Sequence, residues 1–240
     1  MINTILFDLD GTLLPMDADA FEKLYFKAMA NYLGDLISPQ ELVNNIWAST
    51  KTMIKNLEYK TNEEVFMEDF KGRINGDLEV YKERFDNFYD VEFIKAKAAV
   101  YENKLMQESV RMLKDKGYTL VIATNPLFPL KAIHHRIRWA GFEPSEFEYI
   151  THYEKSHYCK PQLQYYEEIL KDINKTPEEC MMVGNDVQED LIAGKLGLKT
   201  FLIKDCILHR NEEEIAADYQ GSYENFYEFA KELPKIKQTV

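Results

Sequence analysis

Thr4-Ile5-Leu6-Phe7-Asp8-Leu9-Asp10-Gly11-Thr12 opens the chain and decides its reading. Four apolar-compatible residues without alternation, closed by an Asp-Gly turn, describe a strand covered on both faces. Similar short runs recur at residues 119–123, 147–150, 180–183 and 200–203. Between them lie helical patterns at 107–116, 130–140, 162–173 and 187–195, and a last one at 222–233. Strand alternating with helix at this spacing predicts an α/β fold: a three-layer, Rossmann-like parallel sheet with helices on both faces.

Residues 16–93 break that rhythm. They carry amphipathic runs at 18–33, 39–55, 62–71 and 78–88, with Ser38 and Asp77 as candidate N-caps, and no convincing strand. Some 78 residues are too many for a loop in a compact domain. The expectation is an all-helical domain, 16–93, inserted after the first strand of a core made of 1–15 and 94–240.

Composition removes several function classes. The 240 residues hold 29 Lys and Arg against 41 Asp and Glu, a formal charge of −12. That excess argues against nucleic acid and anionic membrane as partners, since both are held by basic side chains. Residues 16–93 hold 16 acids and 9 bases, so they carry −7 of the total. No apolar run approaches the roughly 20 residues of a membrane span. The start, Met1-Ile2-Asn3-Thr4, lacks the basic region of a secretory signal. Cys159, Cys180 and Cys206 show neither CxxC nor zinc spacing, so free thiols and a cytoplasmic location are expected.

The chemistry gathers at predicted strand ends, where open α/β sheets place their ligands. Asp8 and Asp10 end the first strand and suit a metal, or a nucleophile beside a general acid. The second ends in Thr124-Asn125-Pro126, a hydroxyl and an amide able to grip phosphate oxygens without adding charge. Lys160-Pro161 precedes a helix predicted to begin at Pro161, where a lysine and the helix dipole both favour an anion. Cys180–Val183 ends in Gly184-Asn185-Asp186, with Asp190 four residues on. So many carboxylates at one edge repel unless a cation lies among them, and hard oxygen ligands favour Mg²⁺.

These four segments, in this order, resemble the motifs of the haloacid dehalogenase (HAD) superfamily, and the helical insertion resembles its C1 cap. The resemblance implies a Mg²⁺-dependent phosphatase acting on a small-molecule phosphomonoester. Asp8 would be the nucleophile and would form an aspartyl-phosphate, and Asp10 the general acid and base. Thr124, Asn125, Gly11 and Thr12 would contact phosphate, and Lys160 would offset its charge. Asp8, the Asp10 carbonyl and an acid of the last motif would bind the metal. Where the family often has Gly-Asp this chain has Gly184-Asn185, which leaves Asp186 as the favoured ligand, Asn185 as the other candidate, and Asp190 as a group orienting Lys160 or a metal-bound water.

Asp10 speaks against dehalogenation, in which no alkoxide needs a proton. A sugar-phosphate mutase shares the core chemistry. A phosphonatase would need a cap lysine as Schiff base, for which Lys23, Lys27, Lys51, Lys55 and Lys60 are available. A catalytically silent phosphate-binding protein is the alternative from another class. Tyr25, Phe26, Trp47 and Lys51 lie on faces that can border a cleft, though packing among the helices accounts for most such residues. Monomer and homodimer both remain open.

Overall fold

The computed structural model describes residues 1–211 and 214–236. Six parallel strands form the sheet: β1 (Thr4–Phe7), β2 (Thr119–Ile122), β3 (Tyr149–Ile150), β4 (Cys180–Gly184), β5 (Lys199–Ile203) and β6 (Tyr219–Gly221). Their order is β3-β2-β1-β4-β5-β6. Chain direction across the sheet therefore reverses between β1 and β4, and the crevice at their carboxyl ends is the switch point where such sheets bind ligands.

The unalternating sequence of β1 is explained by cover on both faces. Ile5 and Phe7 pack into one apolar cluster and Leu6 into another. The first cluster takes in α5 (Lys104–Asp115), α6 (Leu130–Trp139) and α8 (Tyr223–Glu232). The second takes in α7 (Leu163–Asp172) through Tyr165, Tyr166, Ile169 and Leu170. A strand buried on both faces has no solvent side to code as polar.

Between β1 and β2 lie α1 (Ala18–Tyr32), α2 (Pro39–Lys55), α3 (Asn62–Lys71) and α4 (Leu78–Val91), followed by a 3₁₀ turn at Phe93–Ala99. Each helix begins on a side-chain cap: Asp17, Ser38, Thr61 and Asp77 accept backbone N–H groups of the first turn. Ser38 and Asp77 are the caps expected from sequence. The segments entering and leaving this region run side by side, with Asp17 N donating to Ala99 O and Tyr101 N to Pro15 O. Its aromatic residues continue the first apolar cluster rather than forming a separate one.

Two local expectations are corrected, and one strand is added. The 187–195 pattern is not an α-helix but a turn followed by a 3₁₀ segment at Leu191–Leu196. Asp186 caps the N–H groups of Gln188 and Glu189, and Asp190 folds back into the core, which leaves no room for a regular helix. Helix α7 starts at Leu163 rather than Pro161, because a Cys159–Gln162 turn precedes it; the Lys160-Pro161 peptide is cis. Finally, β6 is an added edge strand. Its three residues are too few to show a period.

Candidate active site

The turn after β1 is set by Gly11, whose φ of +79° is open to glycine and costly to other residues. Leu14 N donates to Leu9 O at 2.9 Å and Gly11 N to Leu14 O at 2.8 Å, curling the chain so that Asp8 and Asp10 both face the cavity above the sheet. A Cβ at Gly11 would overlap the Asn185 amide. Gly11 therefore also lets the β1 and β4 exits approach each other.

Lys160 is the centre of the charge arrangement. It is 1% exposed, and its Nζ donates to Asp8 Oδ1 at 2.9 Å and to Asp190 Oδ1 at 2.6 Å. Burial by itself would lower its pKa, but the two carboxylates hold it well above the ordinary lysine value. The expected alignment with a helix dipole is replaced by this pair of ion pairs. Asn125 fixes the lysine's backbone, accepting Lys160 N at 3.2 Å and donating to Lys160 O at 3.4 Å. Its Nδ2 also donates to Glu189 Oε2 at 3.0 Å, so this amide clamps protein groups while bordering the cavity.

Burial pushes Asp8 up to about 8; Lys160 opposes this, while Asp190 and Asp10 add to it. Asp8 Oδ2, by contrast with Oδ1, has no hydrogen-bond partner among the described residues. Asp190 is also raised by burial, against the pull of Lys160, and its Oδ2 accepts Asp186 N at 2.9 Å. Gly184 makes that position possible, since a Cβ there would overlap the Asp190 carboxylate.

Thr124 borders the cavity, with its carbonyl held by Thr151 Oγ1 at 2.7 Å and Tyr165 Oη at 2.8 Å. Thr12 and Gly11 are not brought to the cavity. Thr12 is fully buried, and its hydroxyl donates to Asn185 Oδ1 at 3.0 Å. Asn185 Nδ2 donates to Cys206 O at 2.6 Å, so this amide braces the loop behind Asp10. Asp186, Glu189 and Asp190 all border the cavity; Asp186 meets Arg210 Nη1 at 2.9 Å and Nη2 at 2.6 Å, while Asp190 is turned to Lys160.

Arg136, on α6, was missed from sequence. It is 1% exposed, donates through Nη1 to Asp10 Oδ2, and stacks its guanidinium 4.4 Å over the Phe128 ring. Its Nη2 and Asp10 Oδ1 are buried without a hydrogen-bond partner among the described residues. Burial raises the Asp10 pKa, with Arg136 and then Lys160 opposing it. A signal was present: Ala132, Ile133, Ile137 and Ala140 form the buried stripe of α6, and Arg136 stands in it. Arg210 and Glu189 had no comparable signal, because a non-helical loop brings them to the site.

Above these groups is a cavity of about 410 Å³. Tyr25, Phe26 and Trp47 border it, whereas Lys51 does not. Lys23, Lys27, Lys55 and Lys60 are likewise absent from its wall, so the Schiff-base reading has no amine in place.

Among the described residues, no three His, Cys, Asp or Glu side chains converge on one metal position. The donors available to a cation are two carboxylates, Asp8 and Asp186, with the Asp10 carbonyl. All are hard oxygens, and this donor set fits a hard divalent cation. No helix among the described residues is long and apolar enough to cross a membrane.

Comparison with known proteins agrees with this geometry. A pyrophosphatase PpaX of Anoxybacillus flavithermus is 24% identical over 200 residues, spanning 83% of this chain and 82% of that protein. The crystal structure of a HAD phosphatase from Thermococcus onnurineus matches with a TM-score of 0.59 at 17% identity, covering 98% of this chain and 100% of that one. The HAD-hydrolase YfnB from Bacillus subtilis, solved bound to magnesium, matches at 0.58 and 19% identity, covering 95% and 98%. A family model described as haloacid dehalogenase-like hydrolase matches residues 2–197. With that match over most of its length, and the Asp8–Lys160–Asp190 cluster at the sheet's switch point, the chain belongs to the haloacid dehalogenase-like hydrolases.

Proposed function

We propose that the protein is a Mg²⁺-dependent phosphatase that hydrolyses a small-molecule phosphomonoester through an aspartyl-phosphate on Asp8. The observation that carries this reading is the pairing of Asp8 Oδ1 with Lys160, which leaves Oδ2 without a hydrogen-bond partner among the described residues, on a side chain that borders the cavity. Oδ2 attacks phosphorus while the bond to the ester oxygen breaks. Asp10 supplies the proton that the leaving alkoxide needs. Arg136 holds Asp10 through Oδ2, and burial raises the Asp10 pKa, which favours the protonated form that an acid needs. In the second half, Asp10 takes a proton from water as it attacks the phosphoenzyme, releasing phosphate and restoring Asp8.

Thr124 would hold phosphate oxygens through its hydroxyl. Gly11, Thr12, Asn125 and Asn185 would support the loops rather than the substrate. Asp8, Asp186 and the Asp10 carbonyl would hold Mg²⁺, which when bound neutralises charge so that a carboxylate can meet an anionic phosphate. Arg210, whose side chain is 53% exposed, would yield Asp186 to the cation. Helices α1–α4 would act as a cap that keeps bulk water from the reaction. The PpaX and Thermococcus relatives, named for pyrophosphate and phosphate chemistry, support the reaction class. The expected location is the cytoplasm.

The test is hydrolysis of p-nitrophenyl phosphate with Mg²⁺ and with EDTA, by wild type and Asp8→Asn. Turnover lost with EDTA and in the variant, with a phosphoryl group trapped on Asp8 in wild type, is the expected result. Full activity of Asp8→Asn would remove the assigned nucleophile.

A further inference from the structure

From the composition of the cavity wall we infer that the alcohol carried by the phosphate is a bulky apolar one, with no second anionic group. This rests on the phosphatase reading and names its substrate class. The floor of the cavity, at the strand ends, holds the charged groups. The facing wall comes from the four helices between β1 and β2, and Phe21, Phe26, Trp47, Phe66 and Phe85 dominate it. Its two tyrosine hydroxyls from α1 and α4, Tyr25 and Tyr89, bond to each other at 3.0 Å, which uses one of their two O–H donors and leaves them neutral groups that offer no counter-charge.

The only charged side chain this helical wall contributes is Glu22. No lysine or arginine of α1–α4 borders the cavity. The cations that do border it, Arg136 and Arg210, belong to the floor and are paired with Asp10 and Asp186. A second phosphate or a carboxylate on the leaving group would thus be desolvated beside aromatic rings and an acid, without a counter-ion. A pyrophosphate or a two-carbon acid phosphate would also leave most of the 410 Å³ unfilled. An aryl-alkyl or branched alkyl body fills it and gains burial in proportion to its apolar area.

The experiment compares kcat/KM for 2-phenylethyl phosphate with glycerol 3-phosphate, 2-phosphoglycolate and pyrophosphate, with Mg²⁺ present. The phenylethyl ester has an aliphatic leaving alcohol, so it has little intrinsic advantage in reactivity over glycerol 3-phosphate. A preference on the order of a hundredfold for it is expected. Trp47→Arg, at a half-exposed position where folding tolerates change, should cut that preference about tenfold or more by placing a cation on the wall. Equal or better turnover of the polar esters would overturn the inference and leave the phosphatase reading intact. If no phosphate compound is turned over, the phosphatase reading fails, and binding to wild type decides the cavity's preference. In that case 2-phenylethylphosphonate binding about tenfold tighter than phosphonoacetate by calorimetry supports the apolar wall, and equal binding overturns it.

Discussion

Replacing Lys160 by Met tests whether the centre of the site is an electrostatic unit or a set of neighbouring residues. Lys160 lies 2.9 Å from Asp8 Oδ1 and 2.6 Å from Asp190 Oδ1, and is 1% exposed. At an effective dielectric of about 20, each contact is worth about 6 kcal/mol of attraction. The cost of burying an ammonium offsets much of this, so removing it should destabilise the fold by about 3–5 kcal/mol, the range for orphaning a buried partner. Proton uptake sets a ceiling. Neutralising one carboxylate of model value 3.8 at pH 7 costs about 4 kcal/mol, so an orphaned acid protonates rather than remain charged at greater cost. Asp8, already at about 8, is protonated below that pH with or without the lysine, so the pH dependence of the deficit falls on Asp190. Its raised folded value rises further in the variant, and its share of the deficit should shrink as pH falls through that value. The assay is urea unfolding followed by tryptophan fluorescence, with EDTA present, for wild type, Lys160→Met, Asp190→Asn and the double variant. A coupling energy of at least about 2 kcal/mol between the two sites is expected, because Asp190→Asn removes one of the charges left stranded. A Lys160→Met loss below about 1 kcal/mol, or additive single losses, would refute the reasoning.

Arg136→Met should lower kcat by about tenfold to a hundredfold with little change in KM, since it orients Asp10 without standing where the phosphate binds; partial recovery in Arg136→Lys would separate positioning from packing. Gly184→Ala should cost about 1–3 kcal/mol in thermal or urea unfolding and weaken activity, because the added methyl displaces the Asp190 carboxylate. Asp69, which takes Ser49 Oγ at 2.8 Å, Thr52 Oγ1 at 3.1 Å and Arg73, ties α2 to α3, and the Arg73 hydrogen bond lowers its pKa. Its stabilisation is present above the unfolded value of 3.8 and is lost as pH falls through the lower folded value. Asp69→Asn should therefore cost about 1 kcal/mol at pH 7 and nothing at the acid end of the same titration. Asp8→Asn should abolish turnover with the circular dichroism spectrum unchanged.

The order of strands and helices was legible in the chain because it rests on local physics. A run covered on both faces, such as Ile5-Leu6-Phe7, must be apolar without alternation, and helices such as Pro39–Lys55 carry their own stripe and their own cap at Ser38. The acids at strand ends were legible for the same reason, since parallel topology brings every such end to one edge. Asp8, Asp10, Lys160, Asp186 and Asp190 could be singled out by their order at the strand ends taken together with the family resemblance. What each of them touches could not. Asn185 is spent on Thr12 and Cys206, Asn125 on the backbone of Lys160, and Asp186 on Arg210. These pairings span from 21 to 173 residues of chain, and no local pattern encodes a distance of that kind. Arg136 is intermediate: a charge in an apolar stripe marks a buried partner, but only the packing of α6 against the turn after β1 reveals that the partner is Asp10. The cavity wall belongs wholly to tertiary structure. Tyr25 and Trp47 look like packing residues from helical period alone, because core and cavity both demand an apolar face, and only the seating of the helices over the sheet edge decides which of the two they serve.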